Sequence, residues 1–157
     1  MACGKTSVAK ELARQLDCDF IDLDSFIADR YGRSPAEIIQ QDGEAKFREL
    51  ETLALSDALQ NQSARVIALG GGTWTIPANR TLIALHDCET VWLDAAFELC
   101  WQRIDASKQI RPLASEEEMA RSRYELRRGE YSHADRRIEV NSPDSPSDLA
   151  EQIAKGI

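Results

Sequence analysis

The sequence predicts an α/β fold of three layers, with a mainly parallel sheet between helices. Three observations predict it. Short apolar runs alternate with helical periodicities along the 157 residues, the pattern of a parallel sheet covered on both faces. A Gly-Lys-Thr triplet opens the first helical stretch, where a helix N-terminus can face an anion. Gly4, Asp22, Asp24 and the run Gly70-Gly71-Gly72 all fall at predicted carboxyl ends of strands, which is where open α/β sheets bind ligands.

The elements follow in order. Thr6 to about Leu16 is predicted helical, because Val8, Leu12 and Leu16 recur every four residues with Ala9 and Ala13 beside them. Phe20 to Asp24 reads as a short strand ending in two acids, followed by a helix to about Tyr31. Gly32-Arg33-Ser34-Pro35 breaks that helix. Ser34 then caps a new one, with Pro35 at its first position and Glu37 placed to complete a capping box. Asp42-Gly43 is a turn. Glu44 to Gln60 is a long amphipathic helix with Phe47, Leu50, Ala54 and Ala58 on one stripe. Arg65 to Leu69 is a buried-type strand that runs into the three glycines, and Pro77 to about Leu85 is a helix. Thr90 to Leu93 is a strand, after which Asp94 is predicted to cap a helix reaching Ile104. Asp105 to Leu113 is polar and expected to be mobile. Glu116 to about Glu130 is a charged helix, and Ile138 to Val140 a last strand. Asn141 to Pro146 is a loop, and Ser147 or Asp148 is expected to cap a terminal helix. No repeat or boundary interrupts the chain, so one domain is expected over residues 1–157.

Composition narrows the function classes. With 43% hydrophobic residues the chain can build a real core. A formal net charge of -8 excludes a whole-chain basic footprint for nucleic acid or an anionic membrane. The four cysteines form no C-x-x-C pair, and two histidines are too few to complete a metal cluster with them. The chain reads as cytoplasmic and soluble, with reduced thiols.

Gly4-Lys5-Thr6 has the form of the second half of a phosphate-binding loop. In that motif backbone amides and the lysine meet phosphate oxygens, and the hydroxyl residue meets a magnesium ion. Asp22 and Asp24 are two residues apart, so a strand ending there would point both carboxylates to one side. One of the two is then a candidate for holding metal through water and the other for facing a substrate hydroxyl. Three consecutive glycines after a buried strand cost backbone entropy, and close approach of a ligand or another backbone is the usual reason. Arg48, Arg111 and a group of six arginines (Arg121, Arg123, Arg127, Arg128, Arg136, Arg137) stand out in an acidic chain. Arginine grips carboxylate and phosphate bidentately, though most of the group is expected to be solvated. His86 and His133 assemble no nucleophile-and-base pattern.

Together these runs resemble the shikimate kinase family over nearly the whole chain. The matching runs are Gly4-Lys5-Thr6, Asp22-Leu23-Asp24, Gly32-Arg33-Ser34 with Glu37-Ile38, Asp42-Gly43-Glu44 with Phe47-Arg48 and Glu51, Gly70-Gly71-Gly72, Arg111-Pro112-Leu113, and Arg128 shortly before Tyr131. The resemblance implies a P-loop NTPase-type α/β/α fold with five strands, and transfer of the ATP γ-phosphoryl group to the 3-hydroxyl of shikimate. It implies ATP and shikimate as partners, Mg2+ as cofactor, and no nucleic acid, membrane or second copy. Lys5, Asp24 and Arg111 would be catalytic. Cys3, Gly4, Lys5, Thr6, Ser7, Arg103 and Arg111 would bind ATP, with Arg111 on a lid at 105–113. Asp24, Arg48, Gly71, Gly72 and Arg128 would bind shikimate, and Thr6 and Asp22 the metal. A related kinase for another hydroxy acid such as gluconate, or a non-catalytic remnant, are the alternatives. Several features depart from the family. The strand and first glycine ahead of Cys3 are absent, so an N-terminal truncation is expected, leaving a slot between the strands near Val66 and Val91. Trp74 stands where smaller residues are usual. The arginine expected seven positions before Arg111 is Ile104, with Arg103 one place off.

Overall fold

The computed structural model describes residues 2–60, 64–107 and 117–157, with the backbone alone at 105–107. Helix α1 (Lys5–Gln15) begins where Gly4 takes a left-handed conformation at φ 95, and buries Val8, Ala9, Leu12 and Ala13. A side chain at Gly4 would be strained in that conformation. Strand β1 (Asp19–Asp22) ends two residues earlier than the sequence suggests, because the chain turns directly into α2 (Leu23–Tyr31). The cause is local: the Asp22 carboxylate accepts the Ser25 amide at 3.1 Å and caps α2. Asp24 therefore lies in the first turn of a helix, not on a strand beside Asp22.

Helix α3 (Pro35–Asp42) carries the expected capping box of Ser34 and Glu37. Helix α4 (Glu44–Gln60) spans the predicted range and buries Phe47, Ala54 and Ala58, together with Glu51 and Leu55. Strand β2 (Ala64–Ala68) leads into the glycines, a 3-10 turn at Thr73–Thr75, and α5 (Pro77–Ala84). Strand β3 (Val91–Ala95) runs on through Asp94, which was expected to be a helix cap. Asp94 stays buried in the strand because Arg128 and Arg137 compensate its charge, at 2.9 and 2.6 Å. Helices α6 (Phe97–Ser107) and α7 (Glu117–Tyr131) follow, then strand β4 (Arg136–Val140). The last helix, α8 (Pro146–Ala154), is capped by Ser145, earlier than expected. Asp148 reaches back as the third helical residue to close the box, and Pro146 takes the first helical position.

The strands form two parallel pairs, β1 with β2 and β3 with β4. Phe20 faces Val66 and Asp22 faces Ala68 in the first pair; Leu93 faces Ile138 in the second. Each pair has its own core. Val8 and Leu12 of α1 pack with Leu149 and Ile153 of α8 and with Ala95 and Val140. Leu23, Ile27, Ile38, Phe47, Leu55 and Ile83 form the second core beneath α2 to α5. Between β2 and β3 lies a cavity of about 670 Å³, whose lining includes Val66, Ile67, Val91, Leu93, Val8 and Leu12. This is the place of the slot expected near Val66 and Val91. Among the described residues β2 and β3 each pair on one edge only. No described helix is long and apolar enough to cross a membrane.

The unpaired inner edges limit stability, since a buried backbone group without a partner costs about 1–3 kcal/mol. A form of the chain carrying an added strand that pairs with both inner edges is expected to melt higher than the 157-residue chain. The gain should be about 2–4 °C for each kcal/mol regained. Equal melting temperatures and equal ATP binding in the two forms would show that the slot needs no strand.

Candidate active site

Two groups of side chains meet at the carboxyl ends of β1 and β2. The first surrounds the start of α1. Gly4 supplies no side-chain cap, so the first amides of the helix keep their hydrogen-bonding capacity and the helix dipole adds partial positive charge. Cys3 is buried in the core beside this turn. Arg103 of α6 reaches it: a guanidinium nitrogen lies 3.8 Å from where a Gly4 β-carbon would stand. Thr6, beside Ser7 in the first turn, donates its hydroxyl to Asp22 Oδ2 at 2.5 Å. The other Asp22 oxygen is the α2 cap, so one carboxylate both starts a helix and faces the phosphate turn. Thr6 and Asp22 thus present two hard oxygen donors together. That fits magnesium, which takes one or two protein oxygens and keeps the rest of its shell for water and phosphate.

The second group is built on the glycines. A β-carbon at Gly70 would lie 2.9 Å from Asp24 Oδ1. At Gly72 it would lie 2.5 Å from both terminal nitrogens of Arg48. Gly71 faces the Arg127 guanidinium at 3.1 Å. The three residues therefore admit one carboxylate and two guanidiniums against bare backbone. Arg48 is held by Glu51 at 2.7 Å and by Glu44 at 3.0 Å, and stacks on Phe47 at 5.1 Å. Burial pulls its pKa down, but the Glu51 and Glu44 carboxylates outweigh this and leave it above the ordinary value. Glu51 also takes the Thr73 hydroxyl at 2.7 Å.

Most of the residues singled out in the sequence converge here: Cys3 to Ser7, Asp22 and Arg103 around the phosphate turn, and Asp24, Arg48, Gly71 and Gly72 around the glycine floor. Arg128 does not. It turns to Asp94 and to the faces of Trp92 and Tyr124. Neighbouring residues on a helix point about 100° apart, so only one of the Arg127-Arg128 pair can face the floor. Arg127 lies one turn before Tyr131, whose hydroxyl donates to the Gly71 carbonyl at 2.6 Å, and shares its face. The spacing of Arg127 from Tyr131 was the available signal. Glu51, three residues after Arg48, was visible in the sequence too, but its burial was not. Arg111 and most of the expected lid fall at 108–116, outside the described residues.

A helix start suited to phosphate, set beside a floor suited to an acidic acceptor, defines a class: a small α/β phosphotransferase. Comparison with known proteins makes it particular. The family model described as shikimate kinase matches residues 1–157, and the chain belongs to the shikimate kinase family, whose members are ATP-dependent kinases. A shikimate kinase from Synechococcus sp. (strain JA-3-3Ab) is 41% identical over all of this chain and 83% of its own length. One from Microcystis aeruginosa is 35% identical over 100% of this chain and 82% of the relative. Among solved structures, shikimate kinase from Acinetobacter baumannii in complex with shikimate superposes with a TM-score of 0.90 and 32% identity. The match covers 99% of this chain and 87% of that one.

The Glu51 linkage makes a prediction about stability. Glu51 is 1% exposed and Glu44 is 57% exposed, though both pair with Arg48. Glu51→Ala is expected to cost about 3–5 kcal/mol, as for breaking a buried pair. Glu44→Ala should cost less than about 1 kcal/mol. Urea denaturation of the two variants checks this, and equal losses would mean that Glu51 is no keystone.

Proposed function

We propose that this chain transfers the γ-phosphoryl group of ATP to the 3-hydroxyl of shikimate, in the cytoplasm and on the route to chorismate, with Mg2+ as cofactor. One observation carries the reading: the glycine floor gathers Asp24, Arg48 and Arg127 beside the phosphate turn of α1. Membership of the family and the relative solved with shikimate support it.

The residues divide the work as phosphoryl transfer requires, by positioning and charge neutralisation rather than covalent chemistry. The α1 amides and Lys5 take the β- and γ-phosphates, and Arg103 borders the nucleotide side. Thr6 and Asp22 would hold magnesium, which would supply charge neutralisation at the phosphates. Arg48 and Arg127 grip the shikimate carboxylate, with Arg127 in the role the sequence had given to Arg128. This fixes the ring so that its 3-hydroxyl meets Asp24. As the oxygen–phosphorus bond forms and the bond to ADP breaks, Asp24 orients the hydroxyl and accepts its proton. Arg111, which lies outside the described residues, would neutralise charge on the transferring group. Carboxylate recognition by two guanidiniums favours shikimate over acceptors without an acid group.

Asp24→Asn is expected to keep the fold and nucleotide binding but to lower turnover by about a hundredfold or more. Near-normal turnover in the purified variant would remove Asp24 from the chemistry. A second measurement separates the arginines. Arg127→Ala should weaken shikimate binding by about 2–3 kcal/mol while leaving ATP binding in place, and Arg48→Ala should weaken it likewise but also destabilise the fold, because buried Glu51 loses its cation. Arg128→Ala should act mainly on stability, by leaving buried Asp94 with one partner fewer. If Arg128→Ala gives the selective shikimate defect and Arg127→Ala does not, the assignment of the clamp is wrong.

A further inference from the structure

Trp74 is the residue after the glycine run that phosphoryl transfer leaves without a role, and it stands in the path between the floor and α7. Its indole N–H donates to the Glu130 carbonyl at 3.0 Å, in the last turn of α7. Its own carbonyl accepts from Arg80 at 3.1 Å, and the same Arg80 nitrogen reaches the Glu130 carboxylate at 2.6 Å. Next to it, the Tyr131 hydroxyl donates to the Gly71 carbonyl at 2.6 Å. Burial pushes the Tyr131 phenol up from its ordinary pKa, so it remains a donor throughout the physiological range.

These contacts bear on Arg127 through helix geometry. Arg127, Glu130 and Tyr131 are spaced i, i+3 and i+4, and so lie on one face of α7. Two of the three are bonded to the 71–74 loop or to the arginine that braces it. The third, Arg127, has no hydrogen bond or ion pair of its own among the described residues, while its guanidinium stands over Gly71. Arg48, by contrast, is gripped by two carboxylates on its own helix. One cation of the clamp is therefore fixed by its own partners, and the other inherits its place from the end of the helix that carries it.

We infer that Trp74, Arg80, Glu130 and Tyr131 form a latch that joins the last turn of α7 to the glycine floor and so positions Arg127 for the acceptor's carboxylate. The inference rests on the acceptor reading proposed above. These are positioning residues: none of them touches the reacting atoms. The latch holds the acceptor end only, so its loss falls on acceptor recognition and leaves the phosphate turn untouched.

The test uses steady-state kinetics on the whole chain with shikimate and ATP varied in turn, thermal unfolding of each variant, and calorimetric shikimate affinity as a second readout. Tyr131→Phe and Glu130→Gln are expected to raise the shikimate KM by about tenfold, with kcat and the ATP KM changing by less than about twofold. Arg80→Lys, which keeps the charge beside Glu130, should restore most of the affinity lost in Arg80→Ala. The deciding measurement is a double-mutant cycle. Placed in an Arg127→Ala background, Tyr131→Phe should add almost nothing, because the cation it positions is gone. Additive effects in that cycle, or a parallel fall in kcat and in affinity for both substrates, would overturn the latch in favour of a general packing role. So would a normal shikimate KM in both Tyr131→Phe and Glu130→Gln while Arg127→Ala raises it, an outcome that leaves the acceptor reading standing. A normal shikimate KM in Arg127→Ala itself would instead bring down the acceptor reading and the latch together.

Discussion

The two oxygens of the buried Glu51 carboxylate face different elements. Oε2 takes the Arg48 guanidinium on α4, and Oε1 takes the Thr73 hydroxyl just past the glycines. A carboxylate this deep is costly unless a cation and hydrogen bonds satisfy it, so the three groups must stay together for the domain to be stable. The network extends outward from Thr73. Asn79 donates to the Thr73 carbonyl at 3.0 Å, and the Thr52 hydroxyl donates to Asn79 at 2.9 Å. The 3-10 turn is thereby tied to α4 and α5, and the floor between them becomes a fixed surface.

On that surface the chain places positive charge with economy. It carries 27 acids against 19 basic residues, so a binding site for an anion must be made locally. Most arginines are consumed by carboxylates: Arg33 by Asp42, Arg121 by Glu98, Arg128 and Arg137 by Asp94. Arg136 pairs with Glu89 at 3.5 Å and also closes the end of α8, bonding the Ile153 and Gln152 carbonyls at 3.0 and 3.1 Å, where a cation suits the helix dipole. What remains near the glycines is a pair of different character: Arg48 shares its charge with Glu51 and Glu44, and Arg127 has no ion pair among the described residues.

The two strand pairs meet the same site from opposite sides. The β1–β2 pair delivers Asp22, the glycines and, through α4, Arg48. The β3–β4 pair carries Asp94, which anchors Arg128 and with it the last turn of α7. The phosphate turn stands between them at the start of α1, whose buried face joins the β3–β4 core while its threonine reaches across to Asp22. The lining of the cavity between β2 and β3 includes Cys3, Lys5, Gly70 and Gly71, so it adjoins the start of α1 and the glycine run.

Local chemistry made much of this protein legible from its sequence alone. The capping box at Ser34 and Glu37, the full extent of α4, the helix that opens at Gly4-Lys5-Thr6 and the order of strands and helices all follow from short-range rules of periodicity and capping. Asp22 at the end of β1 and the glycine run after β2 were legible for the same reason. What the tertiary structure alone decided were matters of direction and burial. Asp24 moved into a helix because Asp22 spent an oxygen on a cap. Asp94 stayed in a strand because two distant arginines neutralise it. Arg127 rather than Arg128 faces the floor while α7 is bonded across long sequence separations, Tyr131 to Gly71, Glu130 to Trp74, Arg128 to Asp94 and Tyr124 to Ala95. A sequence states which charges a chain owns, but a helix turns each successive side chain by about 100°, and only packing against other elements sets the angle at which that rotation stops.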